Sequence, residues 1–188
     1  MSTSEILSVN KALTGFIQVW KHDKVTGESS LIVDKNNTIL KGGAKLIARA
    51  LGGDPSAKIW GMYIGYNNSA GTFNPPGIDV DYSAPFTSFS APFGYLREPL
   101  TFSPIYSSSA GYDQNTVLFS TMITTAQAAG GAVFDTSSKI YEVALVSVSD
   151  ESNPLTDTVF SRTNFTAIQY NDNYNFTITW GVRTILPN

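Results

Sequence analysis

Cysteine is absent from the 188 residues. That excludes disulfides, thiolate metal sites and cysteine nucleophiles, and leaves packing or assembly as the sources of stability. Charge is scarce: 14% of residues are Asp, Glu, Lys or Arg, against about 25% in typical soluble domains. The net charge is −3 and the few basic residues are scattered. No basic patch is present to neutralise phosphates, so nucleic acid is not an expected partner. No apolar run approaches the ~20 residues that span a bilayer as a helix, and no membrane is expected either. Residues 1–10 carry Glu5 and lack both a basic start and a long apolar stretch, unlike a secretory signal. Histidine occurs once, as His22.

What is there suits one β-rich domain. Hydrophobic residues make up 42% of the chain, enough to close a core at this length. Ser, Thr, Asn, Gly and Tyr occupy the places that charge leaves, which suits the exposed faces of sheets and surfaces that other subunits cover. Residues 1–13 read as an N-terminal arm, and 14–188 as a single domain.

Gly15 to Trp20 has strand composition, with Phe16, Gln18 and Trp20 on one face and Ile17 and Val19 on the other. Lys24 to Glu28 is a turn with Gly27 free to take positive φ, and Ser30 to Val33 returns as the second strand of a hairpin. Asn36-Asn37-Thr38 leads into a helix near residues 41–51. Its apolar stripe is Ile39, Gly43, Leu46, Ile47, Ala50 and Leu51, and Gly52-Gly53 and Pro55 end it. Lys58 to Tyr66 reads as a central strand with both faces covered.

Further strands are expected at 100–106, 116–123, 140–148, 157–165 and 174–186. Along 140–148, strict alternation puts Tyr141, Val143, Leu145 and Ser147 on one face and Ile140, Glu142, Ala144, Val146 and Val148 on the other. Glu142 is thereby a candidate buried carboxylate. Along the last strand, Tyr174, Phe176, Ile178 and Trp180 alternate with Asn175, Thr177, Thr179 and Gly181. Seven or eight short strands with one helix predict an antiparallel β-sandwich, jelly-roll-like.

Between about 67 and 95 the texture changes to a long loop rich in Pro, Ser and aromatics. Loops of this length are uncommon unless they bind something or are disordered. Phe73, Tyr82, Phe86, Phe89 and Phe93 are the interface candidates, because large aromatics among small polar residues are common where proteins meet.

The residues that could carry chemistry form no motif. His22 lies beside Lys21 and Asp23 and reads as a solvated turn residue; no G-x-S-x-G elbow accompanies any serine. Asp79, Asp81 and Asn74 could offer oxygen ligands to Ca²⁺, but without EF-hand spacing they read as a solvated loop, so no metal is expected. Glu98 and Glu142 are the best candidates for a glycosidase-like pair. The alternative is that Glu98 pairs with Arg97 or another basic residue and Glu142 joins a polar network at the sheet edge. Gly42-Gly43 is followed by Ala44-Lys45-Leu46 and not by G-K-[ST], so it is not a phosphate loop. No cofactor is expected.

The order of segments resembles a group of small decoration, collar and tail-fibre virion proteins of tailed phages. The resemblance runs over residues 16–186. Its pieces are the hairpin at 17–33, the Asn-rich start and helix at 36–51, the strand 59–65 ending in glycine, Leu96-Arg97-Glu98, Ile140-Tyr141-Glu142-Val143-Ala144-Leu145, Phe160-Ser161-Arg162 and Ile178-Thr179-Trp180-Gly181-Val182. The family pattern tends to place glycine between the glutamate and the leucine of the Tyr-Glu strand; here Val143-Ala144 stand instead. The resemblance implies a non-enzymatic structural protein of the virion, assembled in the bacterial host cytoplasm, with no catalytic residues. Its expected partners are capsid, portal or neck, or tail proteins, and copies of itself, a trimer being favoured. The alternative is a receptor- or carbohydrate-binding module of a tail fibre.

Overall fold

The computed structural model describes residues 13–67, 94–106, 115–124, 127–129, 132–147 and 158–184. They form a mainly β protein with one short helix. The strands are β1 (Leu13–Asp23), β2 (Ser29–Ile39), β3 (Gly61–Asn67), β4 (Gly94–Pro99), β5 (Phe102–Tyr106), β6 (Thr116–Ile123), β7 (Gln127–Ala129), β8 (Ala132–Phe134), β9 (Lys139–Ser147), β10 (Thr158–Gln169) and β11 (Tyr174–Thr184). The helix α1 spans Lys41–Leu51.

Nine strands follow one another in the order β4-β3-β9-β10-β2-β1-β11-β6-β5, and β7 pairs with β8 as a separate hairpin. All pairings are antiparallel. The nine strands fall into two sheets. In β2, Ser29 to Asn37 pair with β1, whereas Thr38 and Ile39 pair with Arg162 and Ser161 of β10. One long strand thus passes from one sheet to the other.

On the opposite side, the short link from β4 to β5 stitches the sheets again. Leu100 N–H donates to Trp60 O (3.1 Å), and Thr101 N–H donates to Ser120 O (3.0 Å). Thr121 Oγ1 donates to Pro99 O (2.8 Å), and Met122 N–H donates to Thr101 Oγ1 (2.9 Å).

The core lies between these sheets. Ile17 and Val19 of β1, Ile123 of β6 and Phe176, Ile178 and Trp180 of β11 face Met62, Ile64 and Tyr66 of β3, Leu96 of β4 and Val143 and Leu145 of β9. This is the packing that period-two alternation calls for. Each large side chain so buried contributes roughly 1.5–3 kcal/mol before conformational entropy is counted. One end of the core is aromatic: the Phe134 ring meets Tyr66 at 5.1 Å and Tyr170 at 4.5 Å. Burial pushes the Tyr170 hydroxyl up to about 12, with Asp172 adding to the effect.

The helix begins against β10. Leu40 N–H donates to Phe160 O (3.0 Å). A Cβ at Gly42 would overlap the Val159 carbonyl, and one at Gly43 the Phe160 carbonyl. The paired glycines therefore serve close helix–strand contact. Gly53, at φ +82°, closes the C-terminus. Beyond it, Asp54 is held at about 2 by the Ser56 hydroxyl, the Ser56 amide and the Arg49 guanidinium.

Several sequence expectations are corrected here. Asn36-Asn37-Thr38 and Ile39 are strand, not helix lead-in, because β2 continues to reach β10. The helix buries Gly43 and Leu46 and half-buries Ile47, but Ala50 and Leu51 are exposed; its C-terminal turn projects away from the core. Gly94 to Pro99 is a strand, as are Gln127–Ala129 and Ala132–Phe134, which raises the number of strands to eleven among the described residues. The arm at 1–12 and residues 68–93 lie outside the described residues.

Strict alternation also fails in β9. The register with β3 shifts between Gly65 and Tyr66, so that Gly65 pairs with Glu142 and Tyr66 with Ile140. Tyr141 is the extra residue of a β-bulge, and Ile140 shares the core side with Val143 and Leu145. Gly65 makes room for it: a Cβ there would sit against Glu142 Cβ (3.3 Å) and Tyr141 Cζ (3.5 Å).

Candidate protein-binding face

Among the described residues, two places hold those that could act. The first is the side of β3-β9-β10 turned away from the main core. Glu142 is there, 0% exposed, and its Oε1 accepts from Nε of Arg162, itself 4% exposed. Arg162 pairs with Ala144 and Asn164 with Glu142, so the two charged side chains are diagonal neighbours on adjacent strands. Tyr63, Ala144, Val146, Leu40 and Val159 form a second buried apolar cluster on the same side.

Burial pushes the Glu142 carboxyl up, and the guanidinium of Arg162 works against that push. The Tyr141 hydroxyl is also pushed up, chiefly by burial and further by the charge of Glu142. A carboxylate locked to an arginine in the interior holds structure and presents no acid to a substrate. Glu142 is buried, as its apolar neighbours in sequence predicted, but in a central strand and not at a sheet edge.

Glu98 does not join it. Glu98 pairs with Met62, a core residue, and Glu142 with Gly65, three positions along β3. The two glutamates therefore point to opposite sides of the sheet, and the glycosidase-like pairing is not formed. Arg97 lies over the Trp60 ring, 4.8 Å from its centroid. His22 is in β1, not in a turn, with Nδ1 2.7 Å from Ser29 Oγ and Nε2 2.8 Å from Thr177 Oγ1. Among the described residues, no group of three His, Asp or Glu side chains is placed to hold a metal ion.

The second place is the outer face of the sheet β2-β1-β11-β6-β5. The register lines its side chains up in cross-strand rows. One row is Leu31, Trp20, Thr177 and Met122. The next is Asp34, Gln18, Thr179, Ser120 and Phe102. The third is Asn36, Phe16, Gly181, Leu118 and Ile105, with the Phe16 ring laid over Gly181. Ser120 Oγ and Thr179 Oγ1 are 3.1 Å apart. Across these three rows the sole charged residue is Asp34, on the outermost strand.

Leu31 is turned outward here by a local device. The pairing of β1 with β2 shifts register between Val19 and Trp20, so Val19 opposes Val33 but Trp20 opposes Leu31. Without that bulge, Leu31 would share the inward side with Val33. With it, Leu31 is 40% exposed and Ile32 36%. On the opposite flank, Phe102 is 43% exposed and Ile105 45%. The two outward apolar pairs thus lie on the two edge strands of this face, β2 and β5.

The loop aromatics Phe73, Tyr82, Phe86, Phe89 and Phe93, and the Asp79–Asp81 pair, lie outside the described residues. Sequence reasoning did not single out the sheet face. Its signals were the thin charge along β1, β6 and β11 and the adjacent apolar pair Leu31-Ile32. Comparison with known proteins finds no matching family model, no matching curated protein and no matching solved structure.

Proposed function

We propose that this chain is a non-enzymatic structural component of a bacteriophage particle, acting by protein–protein binding on the outer virion as a head-decoration, collar or fibre-base protein. The observation that carries the binding role is the broad sheet face that is nearly free of charge and has Leu31, Ile32, Phe102 and Ile105 turned outward. Burying such a face stabilises both partners by mass action. The phage assignment rests on the order of segments, from the hairpin and helix through Leu96-Arg97-Glu98 to Ile178-Thr179-Trp180-Gly181-Val182. The test is mass spectrometry of purified particles of the phage that encodes the chain, together with antibody labelling of intact particles. The chain is expected in stoichiometric amounts and accessible from outside. Its absence from washed particles would refute the reading.

A further inference from the structure

We propose that the outer face of the β2-β1-β11-β6-β5 sheet is the contact through which two copies of this chain pair face to face. The inference rests on the reading that the chain works by protein binding, and adds the surface and the partner. Size is the first argument. Five strands, with residues 14–22 of β1 in register, cover about 24 Å by about 30 Å, on the order of 700 Å² per copy. That is close to the ~800 Å² per partner of a standard stable interface.

The chemistry is self-complementary. The most exposed apolar residues occupy two opposite flanks, Leu31 and Ile32 on β2, Phe102 and Ile105 on β5, with the half-buried Phe16, Trp20 and Met122 between them. A two-fold axis along β11, the middle strand, exchanges β2 with β5. Each copy's Leu31–Ile32 flank then meets the other's Phe102–Ile105 flank, twice over, as an isologous interface requires. Between the flanks lie Gln18, Thr177, Thr179 and Ser120, which both donate and accept hydrogen bonds and so can pair with their own kind. A face of one charge sign would repel its copy; here Asp34 lies on the edge strand and Arg183 at one end of β11, one of each sign.

The test is sedimentation velocity of the full chain from about 1 to 100 μM, a range that brackets a micromolar association. The expected species is a dimer of twice the 20.3 kDa chain mass. Phe102→Asp, at a half-exposed position, is expected to shift it to monomer with circular dichroism unchanged. Leu51→Asp, on the far end of the helix, is expected to leave the dimer intact. If Phe102→Asp does not fold, Thr179→Cys replaces it: the chain has no other cysteine, and the two-fold axis passes this position. Stacked sheets lie about 10 Å apart, too far for a direct disulfide, so a short bis-maleimide is expected to join two copies through Thr179→Cys and not through Val25→Cys.

A monomer at 100 μM, a trimer, or a dimer indifferent to Phe102→Asp and unlinked through Thr179→Cys overturns the inference. A monomer found in phage particles would sink this pairing alone. A dimer absent from particles would sink the virion assignment alone.

Discussion

Replacing Arg162 with methionine removes the counter-charge of a carboxylate that solvent does not reach. Glu142 is then left ionised in the interior, with Tyr63, Ala144 and Val146 on its side of the sheet. Breaking a buried pair in this way costs about 3–5 kcal/mol, a large share of the roughly 5–15 kcal/mol that holds a domain folded. At about 2–4 °C per kcal/mol for a chain of this length, the melting temperature should fall by roughly 6–20 °C. Glu142→Met alone should cost a comparable amount, because it orphans the guanidinium. The double variant Glu142→Met with Arg162→Met should return to within about 1–2 kcal/mol of the parent, since apolar replacement of a whole buried pair is often neutral or better.

The pH dependence supplies the sign. Without Arg162 nothing opposes burial, and the folded-state carboxyl of Glu142 rises further above its unfolded value. Such a raised acid costs stability in full above its folded value; the cost shrinks as pH falls below that value and vanishes only below the unfolded one. The deficit of Arg162→Met should therefore be largest near pH 8 and shrink as the pH is lowered toward about 5. Urea unfolding at a series of pH values measures this. A deficit below about 1 kcal/mol that stays flat with pH would refute the reasoning.

Other expectations follow from single contacts. Gly43→Ala presses a methyl into the Phe160 carbonyl and should cost about 1–3 kcal/mol, whereas Gly52→Ala, at an ordinary φ of −77° and with only van der Waals neighbours, should change stability by less than about 0.5 kcal/mol; equal thermal shifts would disprove the helix–strand contact. In a carbon-detected NMR titration, the Asp54 carboxyl should titrate at about 2. Ser56→Ala should move it back toward 3.8; its stabilising contribution is present above the unfolded value and is lost as pH falls from there toward 2. Tyr170, pushed up to about 12, should stay protonated in the folded protein where free tyrosines ionise. Stability should thus decline above about pH 10, as the unfolded chain gives up that proton first; an absorbance titration complete by pH 10.5 would contradict it.

Much of the fold was legible because most strands obey period two. Phe176, Ile178 and Trp180 turn inward and Thr177 and Thr179 outward, as their alternation says, and β6 and α1 occupy the residues their patterns mark. What the pattern concealed has local causes. The bulge at Tyr141 moves Ile140 to the core side, and the bulge at Ile32 turns Leu31 outward beside it; each needs one unpaired residue that no periodicity reveals. Gly94 to Pro99 is framed by a breaker at either end and carries Arg97 and Glu98, so it reads as loop until β3 is there to pair with it. The face now identified was half visible, as Phe16, Gln18 and Trp20 on one side of a strand, but which side met solvent depended on partners far away in sequence.

The most direct measurement of the proposed virion role is a cryo-electron microscopy reconstruction of particles produced by the source of this chain. The two-sheet domain should be found at repeated positions on the outside, with the face bearing Leu31, Trp20, Thr179 and Phe102 covered by a neighbouring subunit. A particle lacking the domain, or displaying it with that face bare to solvent, would contradict the assignment.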